Sequence, residues 1–128
     1  MTPLVLLAVA VGGALGAVLR QLASVALAGR GPILWGVLVV NVVGSFVAGV
    51  ALTAPLEGTY TSAVQLIIVS GLCGGLTTFS TFAVETVQLV LEGKHRAAAA
   101  NIALNFGVGV PATLLGLAVG ALVAAASV

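Results

Sequence analysis

Charged residues are what this sequence has least of. Only 5% of its 128 residues are Asp, Glu, Lys or Arg, whereas 61% are hydrophobic, and the mean hydropathy is +1.32. Soluble domains carry about 25% charged residues, so the composition excludes a water-soluble globular protein. A chain this apolar is expected to lie in a lipid bilayer, as transmembrane helices of roughly 20 residues each.

The side chains on which most enzymes depend are also scarce. The sequence contains no Asp, one His, one Cys and three Glu. A single Cys excludes an intramolecular disulfide, and no Cys and His residues have the spacing of metal ligands. The net charge of +1 argues against a nucleic-acid partner. We therefore predict a protein that is not an enzyme.

Four apolar stretches account for nearly the whole chain. They run from about Leu4 to Ala28, Ile33 to Ala54, Ser62 to Leu91 and Ala97 to Ala126, and each is long enough to cross a bilayer. We predict an all-α integral membrane protein with four transmembrane helices in a single domain, residues 1–128. Because the connections are short, consecutive helices are expected to be antiparallel, with both termini on one side of the membrane.

The basic residues are distributed unevenly between the two sides. All four lie toward the first and third connections, opposite the termini: Arg20, Arg30, Lys94 and Arg96. Since Lys and Arg near span ends mark the cytoplasmic side, the bias predicts that both termini lie outside the cytoplasm.

Glycines recur at four-residue spacing, as in Gly12 and Gly16, Gly71 and Gly75, and Gly116 and Gly120. Such pairs let helix backbones approach closely in lipid, although membrane helices are rich in glycine in any case. Four slender helices enclose little polar space, so we also expect the chain to form oligomers.

The third stretch carries a polar run. Residues 77–81 include four Ser or Thr in five positions, directly after the glycines of Gly71–Gly75. Non-helical backbone at membrane depth is tolerated only where it is buried in protein or lines a polar cavity. We predict that the third helix is broken near Gly71–Gly75 and that this segment conducts or binds a ligand.

Four polar residues in the other helices allow two interpretations each. Asn41 either joins helices or faces a polar pathway, where its amide would donate to an anion. Arg20 either extends to the membrane interface or tethers carbonyl groups and attracts anions at a pathway mouth. Asn101 and Asn105 form a stripe that faces either a partner helix or water.

Two aromatic rings share a helix face with an acid. Phe79 and Phe82 are three residues apart, and the positive edge of an aromatic ring can meet an anion. The hydroxyls of Ser80 and Thr81 lie between them and can donate to the same ion. Glu85, on the same face, is either a functional intramembrane acid or a solvated group in a vestibule.

Taken together, these residues resemble a known family, the small fluoride channels called Fluc or CrcB proteins. Three blocks carry the resemblance: Gly12–Arg20 (GGALGAVLR), Val40–Phe46 (VNVVGSF) and Gly71–Phe82 (GLCGGLTTFSTF). Their order and spacing, in a chain of this length, make it specific.

The resemblance implies an antiparallel, dual-topology dimer in the cell membrane with two fluoride pores near the subunit interface. It implies that Phe79 and Phe82 form a phenylalanine box, with Asn41, Ser80 and Thr81 as further pore residues. It also implies Glu85 in a vestibule and a central structural Na⁺ bound by the backbone carbonyls of Gly74 and Thr77 from both subunits.

Two positions depart from the family's pattern. Asn101 stands where a pore-side tyrosine is common, and Asn105 where a serine is common. The bias of the basic residues is also unusual for a homodimer that inserts both ways. It favours a heterodimer with an oppositely oriented paralogue, as some members of the family form.

The function implied is passive fluoride efflux down the membrane potential, which reduces fluoride toxicity. Two other functions remain open on the sequence. A small proton-coupled multidrug exporter would need a carboxylate deep in the first helix, which has none. A non-transporting assembly subunit would account for the glycines but not for the cluster of Thr, Ser and Phe.

Overall fold

The computed structural model describes residues 2–31, 33–54 and 61–126, and within these ranges every regular element is helical. Residues 55–60, in the connection between the second and third predicted stretches, lie outside them, as does Pro32. Four helical segments are long and apolar enough to cross a membrane. This confirms the prediction of an all-α membrane protein with four transmembrane helices.

The observed helices begin and end close to the predicted positions. Helix α1 spans Pro3–Ala26, and α2 spans Trp35–Thr53. The Thr2 hydroxyl caps α1 by accepting from the Val5 N–H at 3.4 Å, and Pro3 suits the first helical position because its missing N–H would be unpaired there anyway. The last helix, α6, spans His95–Ala126.

The third transmembrane segment is a series of short helices. Helix α3 (Thr61–Leu66) continues into a π-helical segment (Ile67–Cys73) and then into α4 (Gly74–Leu76). Residues 77 and 78 are extended, and α5 runs over Phe79–Leu91. The break is therefore present near Gly71–Gly75, as predicted, and its extended residues follow Leu76, the last residue of α4. π-Helical turns are rare and frequently accompany functional sites.

Glycines bring α1 into backbone contact with the third segment. A Cβ atom added at Gly16 would lie 2.7 Å from the Leu76 nitrogen, and one at Gly75 would meet the Gly13 carbonyl. In lipid, where no hydrophobic force drives helices together, such close approach maximises van der Waals contact. The predicted glycine contact surfaces are thus formed within one chain.

A second set of glycines joins α2 to α6, the most extensive helix contact in the described residues. A Cβ atom at Gly49 would lie 2.5 Å from the Thr113 carbonyl oxygen, and one at Gly116 would meet the Phe46 carbonyl. Gly107, by contrast, has nothing within 4 Å of an added Cβ atom. Both helix pairs run parallel, as expected for a chain that crosses the membrane alternately up and down.

The centre of the molecule lies around α2, where Val37, Leu38 and Val40 are buried. Helices α1 and α6 expose many large apolar side chains, such as Leu4 and Leu122. In water such a surface would be costly, whereas lipid chains solvate it without penalty. The outer helices therefore face the bilayer, and the polar groups of the break lie toward α2.

Candidate functional site

The site begins at the two extended residues between α4 and α5. The Thr77 N–H makes the last bond of the preceding turn, to the Cys73 carbonyl at 2.9 Å. Thr78 then adopts φ −149° and ψ 120°, and its hydroxyl accepts from the Thr81 N–H at 3.2 Å. Thr78 is therefore the N-cap of α5, since a capping hydroxyl satisfies a backbone donor that lacks a helical partner.

Asn41 holds the break from the facing helix α2. Its Oδ1 accepts from the Thr78 N–H at 2.8 Å, and its Nδ2 donates to the Thr78 carbonyl at 3.3 Å. The carboxamide thereby pairs with both backbone groups of a residue that has left the helix. Such pairing is needed because an unsatisfied polar backbone group away from water costs several kcal/mol.

The asparagine stripe of α6 joins this network. Asn41 Nδ2 also donates to Asn105 Oδ1 at 3.0 Å, and Asn105 Nδ2 donates to the Asn101 carbonyl oxygen at 3.0 Å. Asn101, only 1% exposed, donates from Nδ2 to the Thr86 hydroxyl at 3.0 Å. Of the two interpretations of the stripe, contact with a partner helix thus holds for the buried Asn101, which meets α5, whereas Asn105 both contacts α2 and lines an open groove.

Three aromatic rings lie beside this network. The ring centroids of Phe79 and Phe82 are 5.8 Å apart, and Phe82 meets Phe106 edge-to-face at 6.0 Å and 83°. Phe82 is 7% exposed, whereas Phe79 is 74% exposed. The edge-to-face arrangement is favoured by the quadrupoles of the two rings, and the large exposed surface of Phe79 is open to lipid or to a second chain.

The rings and amides line one open groove of about 320 Å³. It brings together three of the predicted pore residues, namely Asn41, Phe79 and Phe82, and it is also lined by Thr77, a predicted cation ligand. Ser80 and Thr81 lie beside it, joined to the Thr78 hydroxyl at 3.3 and 2.9 Å. The remaining lining residues come from the break, α2 and α6: Thr78, Ser45, Asn105, Phe106, Gly109, Val110 and Thr113.

Several of these lining residues were not predicted as site residues. Ser45 lies one turn after Asn41 on α2, and Thr113 lies two turns after Asn105 on α6. Four-residue spacing places such residues on one helix face, so the pattern was available in the sequence. Phe106 carries no such signal, because it follows Asn105 directly and would be expected on a neighbouring face.

Arg20 and Glu85 lie away from the groove lining. Arg20 Nη1 donates to the Thr77 carbonyl at 3.4 Å. Of its two interpretations, the structure therefore supports contact with a carbonyl group over extension to the membrane interface. Glu85 lines a separate cavity of about 100 Å³ with residues such as Ser24 and Gly36. Within the described residues its Oε2 atom is buried without a hydrogen-bond partner.

The carbonyl groups at the break have the chemistry of a ligand set for a hard cation. Because the Thr78 N–H donates to Asn41, it does not continue the helical ladder to the Gly74 carbonyl. The Thr77 carbonyl accepts from Arg20, but its oxygen has a second lone pair. Oxygen donors of this kind suit Na⁺, so Gly74 and Thr77 fit the predicted role.

The fold and the groove define a class of protein: a multi-pass membrane protein in which amides of α2 and α6 line one groove together with the hydroxyls and rings around the broken third segment. Comparison with known proteins gives the family. Residues 7–117 match the family model described as "CrcB-like protein, Camphor Resistance (CrcB)". The chain belongs to the CrcB family.

Several relatives match over most of their length. The "Fluoride-specific ion channel FluC 1" of Thermobifida fusca is 45% identical over 111 residues, which cover 85% of this chain and 89% of the relative. Proteins named "Fluoride-specific ion channel FluC" from Roseiflexus sp. and Bordetella petrii are 40% and 42% identical, covering 94% and 92% of their lengths. These names, all of ion channels, agree with the prediction that the chain is not an enzyme.

Proposed function

We propose that this protein is a fluoride-selective passive ion channel that exports cytoplasmic fluoride and so reduces its toxicity. The observation that carries the proposal is the groove in which the Asn41 carboxamide lies beside the rings of Phe79 and Phe82. The similarity of the chain to relatives named fluoride-specific ion channels supports the choice of fluoride as the ion.

The groove offers donors to an anion that has lost its water. Amide N–H and hydroxyl groups donate hydrogen bonds, and the positive edges of aromatic rings add attraction without a competing acceptor. A small ion is matched by closely spaced donors, whereas chloride is too large for the same contacts. Selectivity therefore comes from the spacing of Asn41, the hydroxyls around Thr78 and the rings.

The membrane potential supplies the driving force. Hydrogen fluoride is neutral and crosses bilayers, and the anion that it releases inside is trapped. An interior-negative potential favours outward movement of a monovalent anion by about 2.3 kcal/mol per 100 mV. A channel therefore needs no nucleotide or coupled proton, and the roles left to its residues are to replace the water of the ion and to exclude other ions.

The proposal includes a second subunit in antiparallel orientation. In one chain the groove is open and Phe79 is 74% exposed, so a partner would close the pathway. Arg20 is bound at the break. However, Arg30, Lys94 and Arg96 all lie at the first and third connections, at the same end of the antiparallel helices, which favours an oppositely oriented paralogue over an identical copy. Mapping the loops of the chain expressed alone tests this point, because equal amounts of both orientations would indicate a homodimer.

A structural Na⁺ at the centre of the dimer is also part of the proposal. The carbonyl groups of Gly74 and Thr77 would hold it, and its charge would fix the break and raise the local positive potential. Arg20 already places a positive charge at the Thr77 carbonyl. The Arg20 guanidinium and a bound Na⁺ would therefore both make the electrostatic potential at the break more positive, which would attract an anion.

Fluoride efflux from liposomes that contain the purified protein tests the function. We expect efflux without a proton gradient and with little chloride release. Drug–proton exchange in its place would indicate an exporter, and the absence of both from the chain with and without its oppositely oriented paralogue would indicate an assembly subunit.

Substitutions at Asn41 test the site itself. In Asn41→Ala the Thr78 backbone loses both of its hydrogen bonds to this side chain, and in Asn41→Asp a carboxylate replaces the amide donors. The lost interactions are worth about 1–3 kcal/mol, so efflux should fall roughly tenfold to a hundredfold. Normal efflux in Asn41→Asp would show that Asn41 is not an anion donor.

A further inference from the structure

The amide network at the groove has a fixed direction. The Thr78 N–H can only donate, so the Asn41 atom that faces it is Oδ1, and the Asn41 amide nitrogen must face Asn105. At the far end the Phe82 carbonyl can only accept, and the Thr86 hydroxyl donates to it at 2.7 Å. Between these two ends, each side chain donates toward Phe82.

This direction leaves Asn41 with no spare donor. An Asn side chain carries two N–H bonds. One is directed to the Thr78 carbonyl at 3.3 Å, and the other to Asn105 Oδ1 at 3.0 Å. An anion that enters the groove can receive a hydrogen bond from Asn41 only if it replaces one of these two oxygens.

The oxygen that can be replaced is that of Asn105. The Thr78 carbonyl is part of the main chain at the start of α5, and the N–H and C=O groups of Thr78 are both hydrogen-bonded to Asn41. Asn105 Oδ1 belongs to a half-buried side chain that lines the groove, so an anion in the groove can reach its position. The Asn105 oxygen lies at the position from which an anion would accept the Asn41 N–H.

Asn105 is itself held in this orientation by α6. Its Nδ2 donates to the Asn101 carbonyl oxygen at 3.0 Å and to Asn101 Oδ1 at 3.3 Å. Both of its own N–H bonds therefore point away from the groove, and Asn105 presents an acceptor there. An acceptor beside the path of an anion competes with that anion for donors.

We infer that Asn105 Oδ1 is a built-in acceptor that occupies the Asn41 amide when no ion is present and competes with the permeating anion for it. The inference rests on the proposed function, since it concerns the ion that passes through this groove. When the groove holds no ion, Asn105 thereby gives the Asn41 N–H a hydrogen-bond partner. Without Asn105 that donor would be unpaired in a low-dielectric environment, at a cost in free energy. Asn105 also weakens anion binding, which favours release from the site.

The inference predicts opposite effects for two substitutions of similar size. Asn105→Leu removes the competing oxygen, so the half-saturating fluoride concentration should fall roughly two- to tenfold, the value of one hydrogen bond. Asn105→Asp makes the competitor a carboxylate, whose charge-assisted bonds are about twice as strong. The half-saturating concentration should then rise more than about tenfold.

Initial efflux rates from liposomes, measured over a range of internal fluoride concentrations, give the half-saturating concentration separately from the maximal rate. Gln88 provides the matched control, because it is an exposed amide on α5 that does not line the groove. The same chemical changes there, Gln88→Leu and Gln88→Glu, should leave the half-saturating concentration unchanged.

The sign of the leucine result decides between competition and positioning. If Asn105 only orients Asn41, Asn105→Leu raises the half-saturating concentration, and the inference is overturned. An unchanged value overturns it too, as does an aspartate variant that binds fluoride as well as the parent. If the leucine variant does not fold, Asn105→Ala gives the same reading. A parent protein that moves no fluoride, both alone and together with its oppositely oriented paralogue, contradicts the proposed function, and the inference with it.

Discussion

The contact between α2 and α6 has two halves that hold the helices together in different ways. Around Gly49 and Gly116 the backbones touch, and no side chain separates them. About two to three turns away, Asn41 and Asn105 face each other across a groove and are joined by a hydrogen bond of 3.0 Å. The first half is closely packed, with one hydrogen bond between the helices from the Thr53 hydroxyl to the Leu117 carbonyl at 2.9 Å, and the second is open and carries the amides.

This difference separates support from function. Close backbone contact fixes the distance between two helices but leaves no space for a ligand. A groove has space, but its polar groups must be satisfied by one another when it is empty. The glycine half therefore sets the helix positions that the amide half requires, and the two halves should respond differently to mutation.

The largest effect is expected in the glycine half. A methyl group at Gly116 would meet the Phe46 carbonyl, which is backbone and cannot rotate away. Gly116→Ala should therefore force α2 and α6 apart at a cost of about 1–3 kcal/mol or more. We expect loss of monodisperse protein in size-exclusion chromatography after solubilisation, together with loss of fluoride efflux.

Gly107 is the matched control for this substitution. It lies on the same helix, with nothing within 4 Å of an added Cβ atom. Gly107→Ala should leave the fold intact or stabilise it by about 0.5–1 kcal/mol, because Ala is the better helix former. Equal behaviour of the two variants would contradict the role assigned to the glycine half.

The next effect concerns the rings of the polar half. Phe82 contacts two rings and Phe79 one, and each aromatic pair is worth about 0.5–1.5 kcal/mol. Phe82→Ile should lower both the melting temperature and the fluoride efflux. Phe79→Ile should lower efflux with little change in melting temperature, since most of that ring is exposed.

Phe46, a ring on α2 that does not line the groove, controls for loss of aromatic packing in general. Phe46→Ile should leave efflux near the parent value. Full efflux in both Phe79→Ile and Phe82→Ile would remove the rings from the mechanism and leave the amides alone.

The two halves also differ in how much of them the sequence predicts. Helix lengths and the break follow from composition and from the polar run after Gly75, because lipid permits few alternatives to a helix. Glycine spacing predicts close contact. It does not say which helices meet, since small residues fit any backbone, and the pairing of Gly49 with the Thr113–Leu117 turn is visible only in the structure.

The site was predictable in its residue types more than in its connections. Asn41, Phe79 and Phe82 stand out as residues that are unusual in lipid or suited to anions, and the groove contains all three. The bond between Asn41 and Asn105 joins residues 64 positions apart. Its direction depends on the Thr78 N–H, which becomes available only because the helix breaks there. Such information is three-dimensional, and a helical pattern does not contain it.

The smallest effect is expected at the cap of α5. The Thr78 hydroxyl accepts from the Thr81 N–H at 3.2 Å and donates to the Thr81 hydroxyl at 2.9 Å, while the Thr78 backbone is held independently by Asn41. Thr78→Val keeps the shape and the extended conformation, which a β-branched residue tolerates well, but removes the cap. Loss of an N-cap costs about 1 kcal/mol, so the melting temperature should drop by a few degrees.

Thr78→Ser retains the hydroxyl and serves as the control for this substitution. It should keep the parent stability, and its efflux should exceed that of Thr78→Val, because the polar half then keeps its donors beside Asn41. If the valine and serine variants melt together and conduct equally, the hydroxyl contributes neither to the cap nor to the ion path. The polar half would then depend on the backbone of Thr78 and on the amides alone.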